Sequence, residues 1–245
     1  MKNRMPPTVV IDCFPESAKK YRFGYAVVAV DVIRATTTAV TAVSLGWRCF
    51  PTPSLEAVGP LAARLDNPLL AGEMGGNMPY GFDMTNSPAE MALRTDFRRP
   101  MILLSTSGTS LIHATRGCEA RYVACLRNYS AQVRYLVGRH TKVAVIGAGG
   151  RGEFREEDQM CCAWIAEGLI KAGYLPGNRN TEELVQRWSG APADGFLGSK
   201  SVEYLRRSDQ LRDLEYVLSH IDDIPAVFTL KDQEIVMIPV AQCHR

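Results

Sequence analysis

The sequence lacks a large excess of charge of either sign. Its 245 residues carry 28 Lys and Arg against 26 Asp and Glu, a formal net charge of +2. Nucleic-acid-binding and membrane-surface proteins usually show a clear basic excess, which is missing here. Apolar runs such as residues 25–30 are far shorter than the ~20 residues that cross a bilayer. We therefore expect no nucleic-acid partner and no membrane partner.

Paired cysteines and clustered histidines are also missing. None of the seven cysteines forms a CxxC pair, and none of the four histidines recurs at HxH or HxxxH spacing. Those spacings would indicate a redox disulfide or a histidine-rich metal site. Cys161 and Cys162 have apolar neighbours, which is typical of buried structural thiols. We discount a thiolate nucleophile and expect a reduced, cytoplasmic protein.

The apolar runs that are present predict an α/β fold. Runs at residues 8–12, 25–30, 100–104 and 142–146 indicate buried strands, and helical patterns follow the last three. Such alternation is typical of a mainly parallel, layered sheet flanked by helices. The 46% hydrophobic content is that of an ordinary globular protein. The length allows one large domain or two fused lobes.

The composition of the chain changes after residue 172. A polar, breaker-rich stretch contains a short helix over 181–188 that begins on a Thr cap. The pattern then predicts a helix over 199–220 and a β-hairpin from strands 226–230 and 234–238. We therefore expect an α/β body over residues 1–172, and a C-terminal helical and hairpin portion over 173–245. We expect that portion to pack on the body rather than stand alone.

The turn after residues 25–30 carries the first candidate site. Asp31, Arg34, Thr36 and Thr37 place a carboxylate, a guanidinium and hydroxyls at a helix start. That combination suits a phosphate or carboxylate ligand together with a divalent metal. The alternative, that Asp31 or Thr36 only caps the helix while Arg34 pairs with a surface acid, stays open.

The glycine- and proline-rich loop over residues 71–88 carries the second candidate site. Loops of this length in a compact domain are usually functional or disordered. Glu73 and Asp83 are reasonable ligands for a hard cation such as Mg²⁺, and Asn86 and Ser87 follow them. The alternative is that Asp83 and Asn86 only form turn hydrogen bonds to their own backbone.

The turn at residues 105–109 is the third candidate. Thr106, Ser107, Gly108 and Thr109 follow a predicted strand, where hydroxyls around a glycine can bind an anion. The same residues are also common in ordinary loops. The three turns would meet in one crevice if their strands were sheet neighbours, because ligands bind outside the carboxyl ends of parallel strands.

Residues 147–152 form a GxGxxG pattern after a strand, which can bind a dinucleotide. The acidic residue expected at the end of a second strand about 20 residues later is missing, and acids crowd residues 153–158 instead. Asp158 is a candidate to orient a metal or a water, while Gly149 and Arg151 are candidate phosphate-binding residues. A nucleotide-dependent oxidoreductase and a non-catalytic anion-binding protein remain the alternatives.

Taken in series, these motifs resemble the 2-phosphosulfolactate phosphatase (ComB-like) family. The likeness covers residues 31–38, 71–76, 81–88, 105–109 and 152–158, and continues through 198–201 and 213–225. The resemblance implies Mg²⁺-dependent hydrolysis of 2-phospho-3-sulfolactate to 3-sulfolactate and phosphate, on the route to coenzyme M. The sequence differs from the family pattern at Met74, Ser107 and Glu153.

The resemblance and the local turn patterns together predict a set of site residues. Of these, Asp31, Arg34, Glu73, Asp83, Asn86, Thr106, Gly108, Thr109, Asn128 and Asp158 fall at positions that match the family. The expected catalytic residues are Asp31, Arg34 and Asp158, and Asp31 stays open as either metal ligand or nucleophile. The expected metal ligands are Asp31, Glu73 and Asp83, with Mg²⁺ as cofactor. The expected substrate-binding residues are Thr36, Thr37, Asn86, Ser87, Thr106, Ser107, Gly108, Thr109, Asn128, Gly149 and Arg151. We expect a small anionic phosphorylated substrate as partner and leave a homodimer open.

Overall fold

A computed structural model describes residues 6–150 and 152–240 of the chain. Within these residues, ten strands form one sheet, with helices packed on it, and the predicted α/β fold is confirmed. The strands are β1 (Thr8–Cys13), β2 (Ala26–Val30), β3 (Cys49–Thr52), β4 (Leu69–Gly72), β5 (Met101–Leu104), β6 (Ala120–Ala124), β7 (Lys142–Gly147), β8 (Leu175–Pro176), β9 (Ala226–Lys231) and β10 (Glu234–Pro239).

The helices connect and cover these strands. They are α1 (Ala35–Ser44), α2 (Val58–Ala62), α3 (Pro88–Leu93), α4 (Gly108–Ala114), α5 (Tyr129–Leu136), α6 (Glu156–Lys171), α7 (Arg179–Trp188), α8 (Lys200–Arg207) and α9 (Leu211–Ser219). Two short 3₁₀ helices lie at Pro15–Tyr21 and Leu55–Ala57. No helix within residues 6–150 and 152–240 combines the length and the apolar character that a bilayer crossing requires.

The strand order is β4-β5-β3-β10-β9-β6-β2-β7-β1-β8. All pairings among β1 to β8 are parallel. The predicted C-terminal hairpin is confirmed, because β9 and β10 pair with each other antiparallel. This hairpin lies in the middle of the sheet and joins two groups of parallel strands through β10–β3 and β9–β6 contacts.

Helix α1 packs against both groups of parallel strands. Nine of its ten residues are buried, and α1 contacts strands from both groups, including β3, β5, β6 and β10. The other face of the sheet packs against α6, whose Met160, Cys161 and Ile165 enter a second apolar cluster. Strand β2 is buried along its whole length, which explains its run of Ala and Val.

The strand order differs from one condition in the sequence prediction. Strands β2 and β7 are neighbours, but β5 is separated from β2 by β3, β10, β9 and β6. The condition that all three strands be sheet neighbours is therefore not met. The turns after β2, β5 and β7 nevertheless border the same cavity, and α1 contacts both β5 and β6, the strand next to β2.

The C-terminal helices differ in detail from the predicted pattern. Helix α7 begins at Arg179 and is capped by Asn178, whose side chain accepts a hydrogen bond from Thr181 N–H. The predicted cap at Thr181 was therefore wrong, and its Oγ1 instead accepts a 2.8 Å bond from Ile11 N–H. The helix expected over 199–220 is split into α8 and α9 around Asp209, which adopts φ +56°.

Candidate functional site

The carboxyl ends of β2, β4, β5 and β7 border a cavity of about 460 Å³, a volume suited to a small ligand. Strand register sets two of its walls. Val30 pairs with Gly147, so the turns after β2 and β7 start at the same level. Gly72 pairs with Leu104, which places Glu73 beside the turn after β5. Helix α8 contributes a further wall through Lys200, Ser201 and Tyr204.

Asp31 lies on the floor of this cavity and is 7% exposed. Its Oδ1 accepts a 3.2 Å bond from Ala35 N–H at the start of α1. Thr36 fixes the same turn, donating from Oγ1 to the Asp31 carbonyl and accepting from Asp31 N–H. A Cβ on Gly108 would lie 2.1 Å from Asp31 Oδ2. Glycine is therefore required there for the turn after β5 to approach this carboxylate.

Asp158, in the first turn of α6, is the second buried acid on the floor. Its Oδ1 accepts a 2.7 Å bond from Val32 N–H. Burial raises the pKa of Asp158, and the charge of Asp31 raises it further. Burial likewise raises the pKa of Asp31, as do the charges of Glu73 and Glu157. Buried carboxylates that repel one another in this way favour binding of a cation.

Arg34 is the buried cation of the site, and α9 holds it in place. Its NH1 donates to Asp213 Oδ2, and both side chains are 3% exposed. Asp213 Oδ1 also accepts bonds from Ser87 Oγ and from Ala89 N–H. Because a guanidinium has five N–H donors and Arg34 lines the cavity, donors remain for an anionic ligand.

The loop after β4 is tied to the turn after β5 through Glu73. Its Oε1 accepts a 2.6 Å bond from Thr106 N–H, and its Oε2 accepts from Thr106 Oγ1 at 2.9 Å and from Gly76 N–H at 2.7 Å. Asn86 lies further along the same loop and is 3% exposed. Its Oδ1 has no hydrogen-bond partner within the described residues, so this buried acceptor is available to a ligand.

The mouth of the cavity carries a second set of charges. Glu153 accepts from Lys200 Nζ through Oε1, and from Arg155 NH1 through Oε2 at 2.8 Å. Tyr204 OH donates to the carbonyl of Gly76, which joins α8 to the loop after β4. We call Glu153, Arg155 and Lys200 the rim cluster, and Asp31, Arg34 and Asp158 the floor.

The cavity brings together about half of the residues expected from the sequence. Those that line it are Asp31, Arg34, Glu73, Asn86, Thr106, Ser107 and Asp158. Those that do not line it are Thr36, Thr37, Asp83, Ser87, Gly108, Thr109, Asn128 and Gly149. Arg151 lies outside the described residues.

The residues outside the cavity lining hold the surrounding structure. Asp83 Oδ2 accepts from Leu70 N–H and from Arg99 NH2, so it anchors the base of the loop. The Thr37 hydroxyl donates to the Val32 carbonyl, and Thr109 Oγ1 donates to the Ser105 carbonyl. Asn128 Oδ1 accepts from Cys125 N–H and its Nδ2 donates to Ala226 O, linking β6 to β9.

Several residues at or behind the cavity wall were missed as site residues. They include Glu153, Arg155, Lys200, Ser201, Tyr204 and Asp213. Residues 198–201 and 213–225 belong to the family likeness, which is the signal that points to this region. No local pattern assigns a role to these side chains, because their partners lie in distant parts of the sequence.

Packing explains the glycines of residues 147–150 without a dinucleotide. A Cβ on Gly147 would lie 2.2 Å from the Phe154 ring, and one on Gly149 would lie 2.2 Å from Cys13 Sγ. Burial raises the pKa of Cys13 to about 12, so this thiol stays protonated at neutral pH. The described cysteines, residues 13, 49, 118, 125, 161 and 162, are all unpaired and buried.

Comparison with known proteins agrees with this geometry. A family profile described as 2-phosphosulpholactate phosphatase matches residues 13–233. A protein of Thermotoga petrophila named "Probable 2-phosphosulfolactate phosphatase" is 31% identical over 241 residues, covering 93% of this chain and 99% of the relative. Proteins with the same name from Symbiobacterium thermophilum and Synechocystis sp. are 33% and 29% identical. They cover 80% and 81% of this chain, and 79% and 87% of their own lengths. The chain therefore belongs to the 2-phosphosulpholactate phosphatase family, a family of phosphoric monoester hydrolases.

Proposed function

We propose that this protein is a Mg²⁺-dependent phosphatase that hydrolyses a small phosphorylated hydroxy acid. The proposed substrate is 2-phospho-3-sulfolactate, giving 3-sulfolactate and phosphate on the route to coenzyme M. The observation that carries the proposal is the floor itself, where two buried carboxylates and a buried guanidinium line one small cavity. Phosphate ester hydrolysis depends mainly on such charge neutralisation and positioning.

The donor atoms of the floor fit a magnesium ion. Asp31, Asp158 and the unpartnered Asn86 Oδ1 offer only oxygen ligands, which Mg²⁺ prefers. Within residues 6–150 and 152–240, no three His, Cys, Asp or Glu side chains form a metal site by themselves. That is compatible with Mg²⁺, which keeps waters and substrate oxygens among its ligands.

Hydrogen bonding favours Asp158 over Glu73 as the second metal carboxylate. Glu73 already accepts three bonds of the about four that a carboxylate can accept. Asp158 accepts only backbone N–H bonds, one of them from Val32 N–H through Oδ1 at 2.7 Å, so it keeps more of its acceptor capacity for a ligand than Glu73 does. When bound, the ion would offset the negative charge that builds up on the phosphate oxygens.

The remaining residues bind and position the substrate. Arg34 donates to the phosphate oxygens from a site where low dielectric strengthens the interaction. Ser107 presents a hydroxyl at the same cavity wall, whereas the Thr106 hydroxyl already donates to Glu73 and holds that wall together. Asp213 keeps Arg34 in position and shares its charge through the buried ion pair.

The test is phosphate release from a panel of phosphorylated hydroxy acids by the purified chain, with Mg²⁺ and with a chelator. We expect release from 2-phospho-3-sulfolactate that the chelator abolishes and added Mg²⁺ restores. The absence of metal-dependent release from every substrate would overturn the proposal. Stabilisation by the intact esters without turnover would favour the anion-binding alternative, and stabilisation by NAD or NADP would favour the oxidoreductase.

A further inference from the structure

The rim cluster carries charges that the chemistry of the floor does not use. Arg155 and Lys200 both line the cavity, and both donate to the single carboxylate of Glu153. Within the rim cluster itself, two cations around one carboxylate leave a net charge of +1. The Glu157 carboxyl, whose pKa is raised by burial, lies behind the rim cluster and also interacts with Arg155. The floor, in contrast, places Asp31 and Asp158 beside Arg34, whose charge Asp213 already balances.

The rim cations are accessible to a ligand from solvent. The side chains of Arg155 and Lys200 are 25% and 72% exposed. Each retains N–H donors beyond the one used on Glu153, because a guanidinium has five and an ammonium three. Ser201, at the start of α8, adds a hydroxyl to the same wall.

We propose that the rim cluster binds a second, singly charged acidic group of the substrate, a sulfonate or a carboxylate. This inference rests on the proposed function, in which the phosphate of the same molecule occupies the floor. A monoanion matches the net charge of +1 of the rim cluster, and a guanidinium pairs well with such oxyanions. The cavity, at about 460 Å³, is large enough for a small molecule that carries both groups.

Glu153 has a defined role in this arrangement. It holds Arg155 and Lys200 at the cavity mouth when no substrate is bound, and it competes with the incoming acid for both cations. Removal of its charge should therefore tighten binding of the second acidic group. Removal of either cation should weaken it. These opposite signs separate a binding role from a merely structural salt bridge.

The experiment compares three phosphate esters in wild type, Lys200→Met, Arg155→Met and Glu153→Gln. The esters are 2-phospho-3-sulfolactate, the same compound without its sulfonate (2-phospholactate), and the same compound without its carboxylate (2-phosphooxypropane-1-sulfonate). The measured quantity is the ratio of kcat/KM between the full substrate and each truncated ester. If only one of the two ratios changes, the acidic group that is missing from that truncated ester is the group that binds at the rim cluster.

For Lys200→Met and for Arg155→Met we expect one of the two ratios to fall about tenfold, because one charge-assisted contact with the substrate is lost. For Glu153→Gln we expect the same ratio to rise. The matched control is Arg206→Met, which removes an α8 cation that pairs with Glu203 and does not line the cavity. Equal changes in kcat/KM for all three esters, or ratios like those of Arg206→Met, would overturn the inference.

Binding of the product separates this inference from the proposed function. Titration calorimetry with 3-sulfolactate measures the subsite without any turnover. Binding that Lys200→Met weakens and Glu153→Gln strengthens would support the subsite even if no ester were hydrolysed. Turnover of the full substrate with product binding unaffected by all three variants would support the phosphatase and overturn the subsite.

Discussion

The floor and the rim cluster of the cavity are built in different ways. Asp31, Arg34 and Asp158 are each less than 10% exposed, and backbone N–H groups or the buried Asp213 fix their side chains. The rim side chains are partly exposed and are fixed mainly by one another. Charges on the floor therefore interact strongly at short range, whereas those on the rim are screened by water and salt.

This difference separates the two tasks of the site. The reacting phosphate needs side chains that are held rigidly around it, and burial and hydrogen bonds to the backbone hold the floor residues in this way. Recognition of a second group tolerates longer side chains with more rotamer freedom, at the price of weaker contacts. Floor substitutions should therefore change turnover, and rim substitutions should change selectivity and salt dependence.

The largest effect is expected for Asp31→Asn on the floor. We expect kcat/KM for phosphate release to fall by at least about a hundredfold, because a buried charge at the reacting centre is lost. The melting temperature without metal should not fall, since Asn keeps an Oδ1 for Ala35 N–H and removes one of several repelling charges. Kinetics with Mg²⁺ and calorimetry without it measure the two effects. Near-normal turnover would remove Asp31 from the site.

A smaller effect is expected for Asp213→Asn, which leaves Arg34 without its buried counter-charge. We expect the free energy of unfolding to fall by about 3 kcal/mol. We also expect kcat/KM to fall about tenfold, the equivalent of ~1.4 kcal/mol of transition-state stabilisation. Denaturant unfolding and steady-state kinetics measure these changes.

The matched control for this substitution is Asp223→Asn. Asp223 pairs with Arg127 through bonds of 3.0 and 2.6 Å and does not line the cavity. We expect a loss of about 1 kcal/mol in stability, since Asp223 is partly exposed, with kinetics like those of wild type. If both variants had the same kinetics, Asp213 would be only a structural residue.

The smallest effect is expected from ionic strength. The KM of wild type should rise as salt is added, because salt screens the exposed rim cations from an anionic substrate. In Lys200→Met this rise should be reduced to a fraction of the wild-type slope. Steady-state kinetics at a series of salt concentrations measure the slope. An unchanged slope in Lys200→Met would place the salt-sensitive contact elsewhere in the cavity.

Local patterns predicted six of the ten strands in the described part of the chain and missed β3, β4, β6 and β8. Continuous apolar runs in the sequence form strands β1, β2, β5 and β7 and the hairpin. Such runs are a strong signal for a buried strand. Strand β3 was missed because it is short and contains Pro51, a residue that argues against a central strand. The two-residue β8 gives almost no periodic signal.

The candidate site was predictable only where each residue lies in a strand-end turn. Asp31, Arg34, Thr106 and Ser107 follow buried strands directly, so their place at the sheet edge can be read from the sequence. Asp213 could not be found in this way, since its partner Arg34 is 179 residues away. Lys200 pairs with Glu153 across 47 residues, and no helical or strand spacing records such contacts.

The central position of the hairpin has a consequence for synthesis of the chain. Strands β4, β5 and β3 form one group and β6, β2, β7, β1 and β8 form another, and only β9 and β10 bridge them. The ribosome synthesises the strands of both groups before it synthesises β9 and β10, which join them. A group that pairs its strands before residues 226–239 emerge therefore has an unpaired edge, at β3 or at β6. During that interval a chaperone or a neighbouring nascent chain could pair with either edge.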